Sequence, residues 1–346
     1  MEALQQLSEA IGVSGAETEV RKLIVDLVQP HIDDLKIDRM GNVLALKRGI
    51  GMDRPMTVML DAHMDEVGLM VIGYDSNGML KVAAVGGLDD RILSGKRVLV
   101  GSKKIPGVIG TKPSHLLSAS ERDNVVNIDS LRVDIGAKSK EAAEGKVDLG
   151  VRIGFDARFI DLGEKVRGKA LDNRVGCSVL VHLLQNDPYP FDCWGVFAVM
   201  EEVSKAGARV AANAICPDLA FVMEGTIADD LPKEAEDDTS STTQLGKGPA
   251  LSAMDRSAIY DTRLNALLMH AADDLDIPVQ MKQPNVGGTD ASEIIRAYGG
   301  VPVAVVSTPC RYIHTPAALL NKADYQNAIR LMDETLRRLD WDVLQR

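Results

Sequence analysis

The chain has 346 residues, a formal net charge of −11, 45% hydrophobic and 26% charged residues. That length suits about two domains at roughly 100–200 residues each, and the composition is ordinary for a soluble globular protein. The acidic balance makes nucleic acid a poor partner, because holding a phosphate backbone relies on clustered Lys and Arg.

In chain order, Ser14-Gly15-Ala16-Glu17 precedes Val20, Leu23, Ile24, Leu27 and Val28. The spacing predicts a helix, with Ser14 as its capping serine and Glu17 three residues on. Residues 43–46 and 57–60 read as strands. From about 69 to 159 short Val/Ile/Leu runs alternate with glycine turns, as in Val82-Ala83-Ala84-Val85-Gly86-Gly87 and Ile105-Pro106-Gly107-Val108-Ile109-Gly110. Only 138–144 looks helical there, so the stretch reads as an all-β module, a small barrel. Helix and strand then alternate: helix 174–184, strand 193–200, helix 206–214, strand 218–223, helices 257–272 and 292–298, strand 301–306, and a long final helix 322–339. Residues 228–248 are polar and read as a mobile surface loop. The fold class expected is α/β, a domain of residues 1–68 and 160–346 interrupted by a β insertion at 69–159.

Cys177, Cys193, Cys216 and Cys310 are far apart in sequence and form no Cys-x-x-Cys pair, which argues for reduced thiols rather than a zinc finger or redox motif. No apolar run approaches the roughly 20 residues that span a bilayer. The opening residues lack the basic-then-apolar pattern of a secretory signal. The expectation is a cytoplasmic protein with no membrane partner.

Three carboxylate or histidine sites stand at or just after short apolar runs: His63 with Asp65, the pair Glu201-Glu202, and Glu224. In open α/β sheets ligands bind outside the carboxyl ends of the strands. With Asp172 and His314 these residues make a candidate two-metal set of His63, Asp172, Glu202, Glu224 and His314, with Asp65 and Glu201 beside it. If their segment is extended, His63 and Asp65 point the same way, so Asp65 suits orienting the histidine ring or a structural cap. Asp172, between a loop and a helical pattern, suits an N-cap or a carboxylate bridging two ions. Of Glu201 and Glu202, one suits a ligand and the other a general base; an exposed acidic turn is the plain alternative. Thr289-Asp290 reads most simply as a helix start capped by Thr289. His31, His115, His182 and His270 have no comparable setting.

The motifs taken together resemble the tetrahedral aminopeptidases, the dinuclear metallopeptidase family that includes glutamyl and deblocking aminopeptidases and proteins once labelled cellulase M. The similarity runs through Gly12-Val13-Ser14-Gly15-Ala16-Glu17, His63-Met64-Asp65-Glu66-Val67-Gly68 and Lys112-Pro113-Ser114-His115. It continues through Lys169-Ala170-Leu171-Asp172-Asn173-Arg174-Val175-Gly176, Glu201-Glu202-Val203, Gly287-Gly288-Thr289-Asp290-Ala291 and Arg311-Tyr312-Ile313-His314-Thr315-Pro316.

The resemblance implies a mixed-sheet zinc-peptidase domain with helices on both faces. It implies two divalent ions, zinc or cobalt, bridged by Asp172, with His63 and Glu224 on one and Glu202 and His314 on the other. Glu201 would be the general base and Asp65 the partner of His63. The peptide bond between Asp172 and Asn173 would be cis. The β insertion would dimerise, dimers would build a hollow dodecamer, and the substrates would be peptides. Two departures stand out: Glu224 replaces a more usual aspartate, and Val203-Ser204-Lys205-Ala206-Gly207 replaces a turn containing glycine and arginine. Rival readings are a glycoside hydrolase, endoglucanase-like, whose two flanking carboxyls need no metal, and a catalytically silent scaffold.

Overall fold

The computed structural model describes residues 1–51, 56–118, 124–232 and 240–345. The expected 228–248 loop falls partly outside these residues, at 233–239. Strands β1 (Asp34–Ile37) and β2 (Val43–Lys47) pair as a hairpin, and β3 (Thr57–His63) follows. Next come β4 (Gly68–Tyr74), β5 (Leu80–Val85), β6 (Arg97–Val100), β7 (Ile105–Gly110), β8 (Arg132–Asp134) and β9 (Arg152–Phe155), which close into an antiparallel barrel in the order β4-β5-β8-β7-β6-β9. Apolar side chains that alternate along its strands, among them Leu69 and Val71, Leu80 and Val82, and Val98 and Val100, fill the interior.

The remaining strands are β10 (Ile160–Asp161), β11 (Lys165–Gly168), β12 (Asp192–Ala198), β13 (Leu219–Ile227), β14 (Ala250–Leu251), β15 (Gln280–Met281), β16 (Val303–Arg311) and β17 (Ala318–Asn321). With β1, β2 and β3 they make one mixed sheet of eleven strands, ordered β1-β2-β12-β3-β13-β16-β17-β11-β10, with β14 and β15 beside β16. Its centre, β12-β3-β13-β16, is parallel. Such strands are buried on both faces and read as near-continuous apolar runs, which is why they were visible in the sequence.

Alternation along those strands assigns the two faces. Val58, Leu60, Phe197, Phe221, Ala304 and Val306 pack under the helices Glu2–Glu9, Thr18–Val28, Leu171–Gln185, Thr262–Asp274 and Lys322–Arg337. Met59, Val196, Ala220, Val222, Val303 and Val305 face the shorter helices Ala206–Ile215 and Ala291–Ile294. By the same period of two, Asp61 and His63 on β3 and Glu224 on β13 point to this second, more thinly covered face.

Three details differ from the sequence reading. Ser14 does not cap the helix Thr18–Val28, whose N-cap is Glu17; its hydroxyl donates instead to Asp65 Oδ2 at 2.6 Å. Thr289 caps nothing with its side chain; the short helix Ala291–Ile294 follows Asp290. The helix expected from 257 begins at Thr262, because Asp255 takes the backbone N–H groups of Ser257 and Ala258 into a turn and Asp261 caps the helix, accepting from Arg263 and Leu264.

Candidate metal centre

The parallel strands deliver their side chains to one edge. His63 ends β3, in register with Ala198 at the end of β12, and Glu201 and Glu202 stand just beyond. Glu224 lies inside β13, opposite Ser307 of β16, and His314 follows the end of β16. Asp172 comes from the opening turn of the helix Leu171–Gln185, where it and Asn173 depart from helical dihedrals and the bond between them is cis. Ala170, Met200, Lys205, Tyr312 and His314 all take positive φ. Non-glycine residues rarely adopt that region, at about 1–3 kcal/mol each, and these five stand within two residues of Asp172, Glu201 or His314 or, for Lys205, pair with Glu201.

His63 Nε2 lies 3.4 Å from Asp172 Oδ1 and 3.6 Å from Glu224 Oε2. His314 Nε2 lies 3.6 Å from Asp172 Oδ2 and 3.3 Å from Glu202 Oε2. These separations are too long for the roughly 2.7–2.9 Å of a charged histidine–carboxylate hydrogen bond. Bonds of about 2.0–2.1 Å to a tetrahedral cation set neighbouring ligand atoms about 3.3 Å apart, which both groups match. The trios His63–Asp172–Glu224 and Asp172–Glu202–His314 each offer three converging ligand atoms, and Asp172 belongs to both.

The unpaired atoms agree. Asp172 Oδ1, Glu202 Oε1 and Glu224 Oε1 are buried without a hydrogen-bond donor, an expensive arrangement unless a cation faces them. Burial pushes the Glu224 carboxyl well up and Glu201 up to about 7, with neighbouring carboxylates adding to the effect. Burial opposes a charge on His314, yet Asp172 and Glu202 outweigh it and raise the ring to about 11. The edge therefore carries a strong surplus of negative potential.

Behind the ligands sits Asp65, fully buried. It accepts from Ser14 Oγ, from Glu201 N at 3.0 Å and from Glu202 N at 3.2 Å, and its Oδ1 stands 3.4 Å from His63 Nδ1. Glu201 keeps Oε2 4.0 Å from His63 Nε2 and Oε1 3.6 Å from Lys205 Nζ. His314 Nδ1 is held by Gly87 O of the barrel at 2.7 Å.

All seven residues singled out in the sequence thus gather at one place. His63, Asp172, Glu201, Glu202, Glu224 and His314 line a cavity of about 160 Å3, with Asp65 behind it. Lys112 and His115 follow β7 and are not among the residues that line it. Three features were missed. Lys282 lines the cavity. Gly87 supplies the carbonyl on His314. Asp61, one strand step behind His63, meets Asp290; both are fully buried, and burial pushes Asp61 up to about 7 and Asp290 well above its ordinary value. The period of two through Asp61, His63 and Asp65 carried the signal for the first of that pair; the second stood in the Gly287-Gly288-Thr289-Asp290 motif, where it read only as a helix start.

One carboxylate shared by two histidine-containing groups, at the carboxyl edge of a parallel sheet, is the arrangement of a hydrolase that works with bound metal. Comparison with known proteins narrows this. Residues 41–331 match the family described as M42 glutamyl aminopeptidase, and the chain belongs to that family, so it is a metallopeptidase of the aminopeptidase class. The lysyl aminopeptidase of Pyrococcus furiosus is 34% identical over 98% of this chain and 97% of its own length. The TET aminopeptidase of a marine sediment Thaumarchaeota archaeon is 36% identical, with a TM-score of 0.92, covering 99% of this chain and 98% of that one. The TET1 peptidase of Pyrococcus horikoshii, 31% identical with a TM-score of 0.85 over 98% and 99% of the two chains, can assemble into a tetrahedron or a large octahedral shell. The glycoside-hydrolase and silent-scaffold readings are set aside by this membership, and the first also leaves both histidines without a task.

Proposed function

We propose that the chain releases N-terminal residues from peptides with two divalent cations, zinc or cobalt, held by His63 and Glu224 on one side, Glu202 and His314 on the other, and Asp172 between them. The observation that carries this is Asp172, whose two oxygens each face a different histidine, at 3.4 and 3.6 Å. When bound, the cations polarise the scissile carbonyl and make the attacking water more acidic. Glu201 takes the water's proton and delivers it to the departing amine. Lys205 steadies its other oxygen, and Asp65 fixes both the His63 ring and the Glu201-Glu202 backbone. The surplus of carboxylates at the edge also receives the substrate's free α-ammonium group.

We assign residues 1–68 and 160–346 to catalysis and 69–159 to dimerisation, with dimers building a hollow dodecamer in the cytoplasm. The assemblies of the TET relatives support this, as do the exposed apolar side chains Ile72 and Val108 on the barrel. A monomeric mass by light scattering would retire it.

Chelation should abolish release of N-terminal residues, and zinc or cobalt should restore it, with two ions per chain by elemental analysis. Asp172→Asn should lose both. One ion per chain in the active protein would overturn the dinuclear reading.

A further inference from the structure

His314 stands in the loop of residues 312–317 that joins β16 to β17, and its side chain is 30% exposed against 2% for His63. Within the loop Tyr312 and His314 take φ of 57° and 59°, and such residues persist only where their surroundings over-determine them. The Thr315 hydroxyl donates to Tyr312 O at 2.7 Å and accepts from Ala317 N at 3.2 Å, and the ring Nδ1 donates to Gly87 O at 2.7 Å. A ring aimed from such a loop depends on where the loop starts.

Arg311 sets that start. It is the last residue of β16, paired with Leu319 of β17. Its Nε donates to Asp230 Oδ1 at 2.5 Å and its Nη2 to Asp230 Oδ2 at 2.9 Å, both side chains being partly buried. Asp230 follows the end of β13, the strand that carries Glu224. Ala228 N donates to Cys310 O at 2.9 Å, so the two backbones run together to that point and the ion pair is the next tie beyond. Leu245 N also donates to Asp230 Oδ2, at 3.0 Å. Burial opposes the Asp230 charge, yet Arg311 and that N–H outweigh it and hold the carboxyl below its ordinary value. Two parallel N–H···O bonds fix the plane of a guanidinium as well as its charge.

The tie therefore joins the loop of one proposed ligand to the strand of another, beside the cavity wall formed by Thr226, Ile227, Ile313 and His314. We infer that Arg311 is a positioning residue for His314. Through its forked pair with Asp230 it fixes the base of the 312–317 loop, and with it the place where the His314 ring meets Asp172 and Glu202.

This rests on the metal-dependent aminopeptidase reading, and the test separates the two. The full chain is loaded with cobalt, whose visible absorption follows the number and geometry of its ligands, and is assayed on the aminoacyl anilide it cleaves fastest. Arg311→Met and Asp230→Asn should each alter the absorption and weaken cobalt binding about 10-fold, within the 10–100-fold usual for groups that orient metal ligands. Each should lower kcat while KM stays near its starting value. The double variant should be no worse than either single one, as for two halves of one contact. Arg311→Lys keeps the charge without the fork, so it should recover the melting temperature but not the absorption. Unchanged absorption and cobalt affinity in the single variants overturn the assignment even if melting falls, as do losses that add in the double variant or full recovery by lysine. Should Arg311→Met fail to fold, Asp230→Asn, which keeps the side chain's shape, decides alone. A wild type that binds no cobalt, or cleaves no anilide once loaded, overturns the underlying reading and this assignment together.

Discussion

Asp65 serves three neighbours with one side chain. It holds the backbone N–H groups of Glu201 and Glu202 and stands beside His63 Nδ1, so it fixes where both glutamates and one histidine point. The adjacent glutamates then separate: Glu202 faces His314, while Glu201 faces His63 and Lys205. In the proposed mechanism that divergence lets Glu202 ligate while Glu201 carries protons. Glu201→Gln keeps the shape and removes the base, so metal content should stay intact while kcat falls on the order of 10²–10⁴-fold. Loss of metal from this variant, with activity recovered on adding more, would make Glu201 a ligand instead.

At the scale of elements, the Asp172 turn is anchored by a buried ionic cluster. Lys169 Nζ donates to both oxygens of Glu66 at 2.8 Å and to Ala10 O at 2.6 Å. Arg174 Nη2 reaches Glu66 Oε1 at 3.3 Å, Nη1 donates to Leu7 O and Ala10 O, and Nε donates to Met64 O at 2.9 Å. Glu66 also accepts from Gly12 N at 2.8 Å. Glu66→Ala would leave two buried cations unpaired, a loss of about 3–5 kcal/mol. A clearly lowered unfolding midpoint of the metal-loaded protein is expected, and an unchanged one would show that the cluster is dispensable. None of this network was legible beforehand, whereas the residues that gather at the candidate site were. A histidine or carboxylate in or just after a parallel strand announces itself through the apolar run before it, as at His63, Glu201-Glu202 and Glu224. Lys169, Glu66 and Arg174 meet across more than a hundred residues of sequence with no such run. Ser14 shows the same limit: locally it suits a helix cap, and tertiary contact with Asp65 takes its hydroxyl elsewhere. The hairpin strand β1 and the helix Glu2–Glu9 were also missed, being short and defined by what they pack against.

For the whole molecule, the metal centre sits where four parallel strands, a helix start and the barrel meet, so its electrostatics bear on global stability. Asp172, Glu202 and Glu224 repel one another without cations between them. Ligands that bind only the folded state stabilise it by about 4 kcal/mol at a thousand times their dissociation constant. Stripping metal should therefore lower the melting temperature, and zinc or cobalt should restore it with a dependence on concentration. Identical melting with and without metal would mean that the ions bind elsewhere or not at all.

His314 hangs between two bodies, its chain leaving β16 of the sheet while its ring is held by Gly87 of the barrel. On the far side, β3 of the sheet runs through Met64 to Val67 straight into β4 of the barrel. The centre is thus a joint with one fastening on each body. The His314 ring therefore takes its orientation from the barrel as well as from the sheet that carries its backbone. Two parts of the chain that fold around separate apolar interiors thus share one imidazole, the backbone coming from one and the hydrogen bond that aims it from the other.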